Sequence, residues 1–498
     1  MTNLSDLFPS GGGKTVSFTA SGNITAAGKP VIINTDGTVT EVSGSAFSKT
    51  LTAGSAGTAY IGSYVTAICY DTNNDRVIVA FQEDTDSDYL HVVAGSISSG
   101  TITWGTSVKV ADTSNDTSYG LTFDTSQNCF VVAYQEGSSL MATCGTVSGV
   151  AITLDTANEI VVASATFTRV RSVFDATNNK TLIYCRDTSS YGQCYAISVS
   201  TTTPTTSSVY NWTTGTNTYD SADAVHDPDE ERIVIAYRGS GTIGNVVLVD
   251  CSAATPTGTS PIAITPYASS GYNEGTISYD TGQNKAVIGV YDSANSNYLS
   301  YVVATIDASG STATFGSKVT QTTTYTRWPS PSKMIYDPDK SINVITFLDG
   351  GTYGSYVQTA TVSGTTVTIS ALSELRAADS TWGDAWVLNT MVYDPDEDKF
   401  VFVYIDKGDS NKMLGLTFSA GSTNLTSTNF VGVSDAAITS SASGDITVRG
   451  GIASAGLSSL TIGSKYYVQD AGTITTVSSD VTAGLAISAT SLILSGDS

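Results

Sequence analysis

Basic residues are scarce in this chain: 22 lysines and arginines stand against 45 aspartates and glutamates, a formal net charge of −23. A surface of that sign repels phosphate backbones, which proteins hold with Lys and Arg, so nucleic acid is excluded as a partner. Histidine is nearly missing, with only His91 and His226. The six cysteines, at 69, 129, 144, 185, 194 and 251, are too sparse and irregular for a disulfide framework. Free buried thiols are expected; Cys185 and Cys194, flanking a predicted hairpin loop, are the one pair placed to bridge. No apolar run approaches the 18 or more residues of a membrane helix. The opening Met1-Thr-Asn-Leu-Ser-Asp-Leu-Phe8 lacks a secretory leader's basic start and apolar stretch, which predicts synthesis and folding in a cytoplasm. Walker loop, zinc spacing and nucleophile elbow are all missing, and so are helix-period apolar patterns.

What remains is rich in Thr, Ser, Gly, Val and Tyr, a composition that favours an all-β protein. One pattern recurs seven times: Cys69-Tyr70-Asp71, Thr122-Phe123-Asp124, Val173-Phe174-Asp175, Val225-His226-Asp227, Ser278-Tyr279-Asp280, Ile335-Tyr336-Asp337 and Val392-Tyr393-Asp394. Successive aspartates lie 53, 51, 52, 53, 57 and 57 residues apart. Each is followed by a polar turn and an alternating apolar run such as Arg76-Val-Ile-Val-Ala-Phe81. Several short strands per repeat of about 50 residues predict a β-propeller of seven four-stranded blades.

The seventh repeat runs out after Lys412–Phe418 without a fourth strand, whereas Ser43–Thr52 resembles the fourth strands of other repeats. Pairing the two would close the ring and remove its open edges. The expected organisation is a propeller over 43–428, closed by strand 43–52 and inserted into a small β domain built from 1–42 and 429–498. Gly28–Val42 and Gly463–Val477 both read as strand, glycine turn, strand, which supports joining the two terminal pieces.

Leu4-Ser-Asp-Leu-Phe-Pro-Ser-Gly-Gly-Gly, the Gly28–Val42 hairpin, Phe430-Val-Gly-Val-Ser, Lys465-Tyr-Tyr-Val and Ala483-Gly-Leu-Ala-Ile-Ser-Ala-Thr resemble segments of structural proteins of tailed bacteriophages. The resemblance implies a virion surface component such as a tail fibre, with host attachment as its job. It implies other virion proteins as partners through the terminal domain, and a host glycan or protein receptor at the propeller. Fibre proteins of this kind are commonly trimeric, though no heptad or triple-helix repeat occurs here. Two rival readings stand beside attachment: a purely structural capsid or tail decoration, and a glycan hydrolase. The sialidase-like turn Ser-x-Asp-x-Gly-x-Thr-Trp is not in the sequence.

Two groups of side chains invite functional readings. The repeated aspartates Asp71, Asp124, Asp175, Asp227, Asp280, Asp337 and Asp394 suit Asx-turns, their carboxylates accepting backbone N–H groups; no cofactor is expected. Calcium has its weak candidates in Asp394, Asp396 and Asp398, or in Asp227, Asp229 and Glu231, none with the EF-hand's turn glycine and distal glutamate. The loops entering the first strands vary while the Asp turns stay alike. They carry Tyr60, Tyr64, Tyr119, Phe167, Arg169, Arg171, Tyr219, Tyr272, Tyr325, Arg327, Trp328, Trp382 and Trp386. Rigid rings with a few arginines suit a binding face, and the same rings could instead fill space between blades.

Overall fold

The computed structural model describes residues 14–34, 36–45, 48–50, 62–112, 119–212, 222–325, 333–348, 354–369, 373–376, 390–406, 412–420, 422–425, 429–469, 471–476 and 481–495. Among them none is α-helical. The chain divides into two units, Lys49–Phe418 and the pair Met1–Ser48 with Ser419–Ser498.

In the larger unit every repeat becomes one antiparallel sheet, in which the strand ending at the repeated aspartate is followed outward by its sequence neighbours. Blade 5 is representative: Tyr272–Asp280 pairs with Lys285–Asp292, and that with Tyr298–Ile306. The third strand then carries two short strands, Ala313–Phe315 and Val319–Tyr325. The fourth strand is thus broken in two, where the sequence predicted one piece. In blade 1 the break follows Trp104 at Gly105, where an added Cβ would stand 2.1 Å from the carbonyl oxygen of Val150 in the next blade. Only glycine lets the chain bend against that neighbour.

The strands that end at the aspartates are the inner ones. Each lies beside the inner strand of the next blade, and the strand of blade 7, Thr390–Asp394, lies beside Gly62–Asp71 of blade 1. That cyclic order makes a closed seven-bladed β-propeller. Closure comes as expected from the N-terminal side: Ser48–Thr50 forms the outer strand of blade 7 on Lys412–Ser419. Phe47, within the predicted closing strand, lies outside the described residues. Between blades the sheets pack face to face through apolar alternation, as where Ile78, Val92, Phe123 and Phe130 join blades 1 and 2.

The smaller unit draws one sheet from both ends of the chain: Thr15–Thr19 pairs with Ser443–Val448, and Pro30–Ile33 with Phe430–Ser434. The two hairpins predicted to be alike use the same turn. Asn34 and Gln469 each give an N–H to a carbonyl four residues on, and each accepts the N–H of a glycine, Gly37 or Gly472, at φ +83° or +73°. A second sheet, built around Thr482–Ser488, packs Tyr466, Val468, Ala483, Ala486, Leu492 and Leu494 into a core shared with Ile32, Val42, Phe430 and Val433.

Candidate functional site

Because neighbouring strands in a blade are antiparallel, the seven aspartate turns collect at one end of the propeller and the entries to the inner strands at the other. The aspartate end is closed by its own bonds. All seven aspartates are buried. Asp71 Oδ1 accepts the N–H groups of Asn73 and Asn74 at 2.9 and 3.0 Å, and Asp124, Asp175, Asp227, Asp337 and Asp394 repeat that pattern. At Asp280 the N–H of Gln283 reaches Oδ1 at 3.0 Å.

In several blades the residue before the aspartate does a second job, invisible within one repeat: Tyr70, His226, Tyr336 and Tyr393 reach back to the preceding blade. Tyr70 donates to Asp394 Oδ1 at 2.7 Å, joining blade 1 to blade 7. Tyr393 donates to Asp339 at 2.8 Å, and the Nε2 of His226 lies 3.3 Å from Asp175 Oδ1. His226 therefore serves as polar packing. Burial raises the pKa of Asp175, but the His226 contact and the Asn178 bonds outweigh it, so the net shift is downward. Tyr336 accepts the Gly282 N–H at 3.2 Å and offsets part of the rise that burial causes at Asp280. Long side chains at the start of second strands also cross forward: Arg76 donates to the Gly149 carbonyl, Arg232 to that of Gly310, and Lys180 to those of Cys251 and Ala253.

The acidic turn of blade 7 does not gather Asp394, Asp396 and Asp398, and this corrects the calcium expectation. Asp396 faces Asp75 of blade 1, whose pKa rises through burial and that contact. Asp398 instead joins Asp337 and Asp339 of blade 6, the carboxylates within 4.8 Å of one another. Alternate residues of a tight turn point apart. The new triad already holds a cation, since Lys340 Nζ bonds Asp398 and lies 3.2 Å from Asp337 Oδ2. Burial works against the Lys340 charge, and the bonds to the two carboxylates prevail, raising its pKa.

The entry end differs. Inner strands of blades 1, 3 and 5 begin with register breaks: in blade 1 between Gly62 and Ala67, in blade 3 between Thr168 and Arg171, and in blade 5 between Tyr272 and Glu274. In blade 3 the bulge puts Arg169 at φ +57° with its side chain exposed. A non-glycine residue in the left-handed region stores strain, and bulges of this kind re-aim a side chain. Arg171, two residues on, is half-buried, and its charge helps lower the pKa of Asp223.

Asp223 went unnoticed in the sequence and is the centre of this end. Its carboxylate accepts from Thr276 Oγ1 at 2.7 Å, from the Ile277 N–H at 3.2 Å and from Lys333 Nζ at 3.2 Å. Burial raises its pKa, and Lys333, Arg171 and Thr276 more than reverse that. Arg171, Asp223, Thr276 and Lys333 each stand four residues before the repeated aspartate of blades 3 to 6. Aligning the repeats on their aspartates would have found them, as one polar and three charged residues at one place in the apolar inner strands.

The other predicted residues divide. Tyr119 and Tyr272 are corrected from face residues to packing: both are buried, Tyr119 among Leu121, Phe130 and Tyr134, Tyr272 edge-on to Tyr267 at 5.9 Å. Phe167 is buried against Tyr195. Inner-strand alternation turns these rings into the spaces between blades, where their area is worth more than at the surface. Arg327, Trp328, Trp382 and Trp386 lie outside the described residues, as do Tyr60 and Tyr219. All six cysteines are free and buried; Cys185 pairs with Gln193 and Cys194 with Tyr184, so their thiols take opposite faces of the sheet and cannot bridge.

No protein-family model matches the chain, and no curated protein is detectably similar. Solved structures do match. The BP39L lectin from Burkholderia pseudomallei aligns with a TM-score of 0.56 at 10% identity, over 74% of this chain and 98% of the lectin. The fold is shared. The Cps50 (Swd1) β-propeller domain of Myceliophteria thermophila aligns with a TM-score of 0.44 at 8% identity, over 75% of this chain and 99% of that domain. The polysaccharide lyase Uly1 gives 0.43 at 9%, over 81% and 99%.

Proposed function

We propose that this protein is a non-enzymatic recognition module whose propeller binds a carbohydrate or protein receptor on a host surface at the end where the inner strands begin. The observation that carries the reading is the asymmetry of the two ends. At the aspartate end the carboxylates accept the N–H groups of their own turns, and side chains such as Tyr70, Lys180 and Lys340 bond the neighbouring blade. At the entry end the backbone of blade 3 is bulged and leaves Arg169 exposed, two residues before Arg171, whose charge together with that of Lys333 faces Asp223. The likeness to a propeller lectin is consistent with sugar binding.

The setting we propose is a bacteriophage virion, with the protein made in the host cytoplasm, the terminal unit held by other virion proteins and the propeller meeting the host. This rests on the resemblance of the terminal segments. A structural decoration without receptor is the rival reading. Glycan-array and host-cell binding with the whole chain test it. Arg169→Asn keeps a residue that tolerates the left-handed backbone and removes the charge, so attachment should weaken by roughly 1–3 kcal/mol if Arg169 anchors the contact. The melting temperature should not move. Failure of the wild-type protein to bind any host surface would favour the decoration reading.

A further inference from the structure

The described residues include seven large hydrophobic side chains that are well exposed, and five of them belong to one corner of the smaller unit. Ile452, Ile493 and Leu485 sit directly opposite one another on three adjacent strands, Ile452–Ala453, Ser491–Leu494 and Thr482–Ser488. Their exposures are 51%, 38% and 43%, and Ile487, 44% exposed, continues the row along the last strand. Ile462, at 68%, lies in the turn whose Gly463 donates to the Ala486 carbonyl between Leu485 and Ile487. The opposite face of the same strands, with Ala453, Leu492, Leu494, Ala483 and Ala486, is fully buried. A sheet with one face in the core ordinarily alternates apolar with polar residues. Here the outward positions are aliphatic too, so the sheet has two apolar faces and only one is covered.

We propose that this row is the interface at which two copies of the chain pair about a two-fold axis. The inference is independent of the receptor reading. Charge argues for a second copy at this place. The smaller unit contains four Lys and Arg against eight Asp and Glu, a net charge of −4, which leaves −19 on the larger unit. Propellers of two copies repel, whereas the terminal units scarcely do, and among the described residues the only charged one in register with the row is Lys465, opposite Leu485 at one end. Area agrees. Four or five half-exposed aliphatic side chains give a patch of a few hundred Å², the size that marks interaction sites and that the apolar centre of an interface of about 800 Å² per partner needs. A straight apolar row is also complementary to itself, as a two-fold contact requires.

Sedimentation velocity of the full chain at tens of micromolar tests this. The expected result is a dimer that strengthens from low to moderate salt, because screening relieves the repulsion of the acidic units while the apolar contact persists. The double variant Leu485→Thr and Ile493→Thr, which places polar residues that suit a strand at both exposed positions, should weaken the dimer at least tenfold with unchanged melting of the monomer. Leu485→Ile should keep the dimer. Ile493→Cys should cross-link copies under mild oxidation, against a background of six buried native thiols. A wild-type monomer, a trimer, or a dimer indifferent to the double variant would each overturn the proposal. Loss of folding in the double variant leaves the Leu485→Ile and Ile493→Cys results to decide.

Discussion

Asp124 is the one repeated aspartate with a buried carboxylate oxygen, Oδ2, that lacks a hydrogen-bond partner among the described residues. Asn74 and Asn178, three residues on, cover Oδ2 of Asp71 and Asp175, and in blade 2 that place is taken by Gln127. Phe174 moreover stands where Tyr70 and His226 bring a polar atom back to the carboxylate of the preceding blade. Replacing Phe174, which is half-buried, by Tyr should bring a donor to the Asp124 carboxylate. A bond to an ionised group nets about 1.5–3 kcal/mol, and taking the new hydroxyl out of water removes part of it, so we expect about 0.5–1.5 kcal/mol of added stability. For a unit of this size that is a rise of about 1–2 °C in melting temperature. Two comparisons make the measurement decisive. Phe123→Tyr places a hydroxyl toward Asp71, whose Oδ2 already accepts from the Asn74 side chain at 2.9 Å, and should be neutral. Tyr70→Phe removes a bond to Asp394 and should cost about 1–2 kcal/mol. Scanning calorimetry under one buffer reads all three. Equal effects of the Phe174 and Phe123 variants, or a loss in the first, would refute the account of how blades are joined.

Two further outcomes follow from the charged clusters. Asp223→Asn should destabilise by about 1–3 kcal/mol at neutral pH, since Lys333 loses its partner at a site it only partly shares with water. The folded pKa of Asp223 lies below its unfolded value, so its contribution is present above about pH 4 and fades as pH falls further; chemical denaturation across that range should show wild type and variant converging in acid. Lys340→Met empties the Asp337, Asp339 and Asp398 cluster of its own cation: the variant should melt lower and gain stability from millimolar calcium, while the wild type should not respond.

The blades were legible because a propeller repeats its turns, and the Tyr-Asp pair marks where each inner strand stops. The closing strand was legible because Ser43–Thr52 copies a pattern that blade 7 lacks. What stayed hidden depends on relations between repeats. Tyr70 and Asp394 are 324 residues apart, and nothing local distinguishes a ring that packs from one whose hydroxyl ties two blades. Alternation along a strand suggests that Asp394, Asp396 and Asp398 converge, but alternation does not continue through a turn. A place just before a strand suggests a face residue at Tyr119 and Tyr272; the bulge in blade 5 and the packing against Phe130 and Tyr267 turn them inward.

The strand Ser48–Thr50, which completes blade 7, is made long before its partner Lys412–Ser419. At roughly 5–20 residues per second, about 20–70 s separate the two. Throughout that interval six blades can form on the ribosome while the closing strand waits unpaired and the last blade does not exist. Ring closure is thus a deadline event set by the ribosome, after the rest of the propeller has had time to equilibrate. A stalled or truncated chain is left with a permanent open seam, which makes it a substrate for chaperones and proteases however well its first blades have folded.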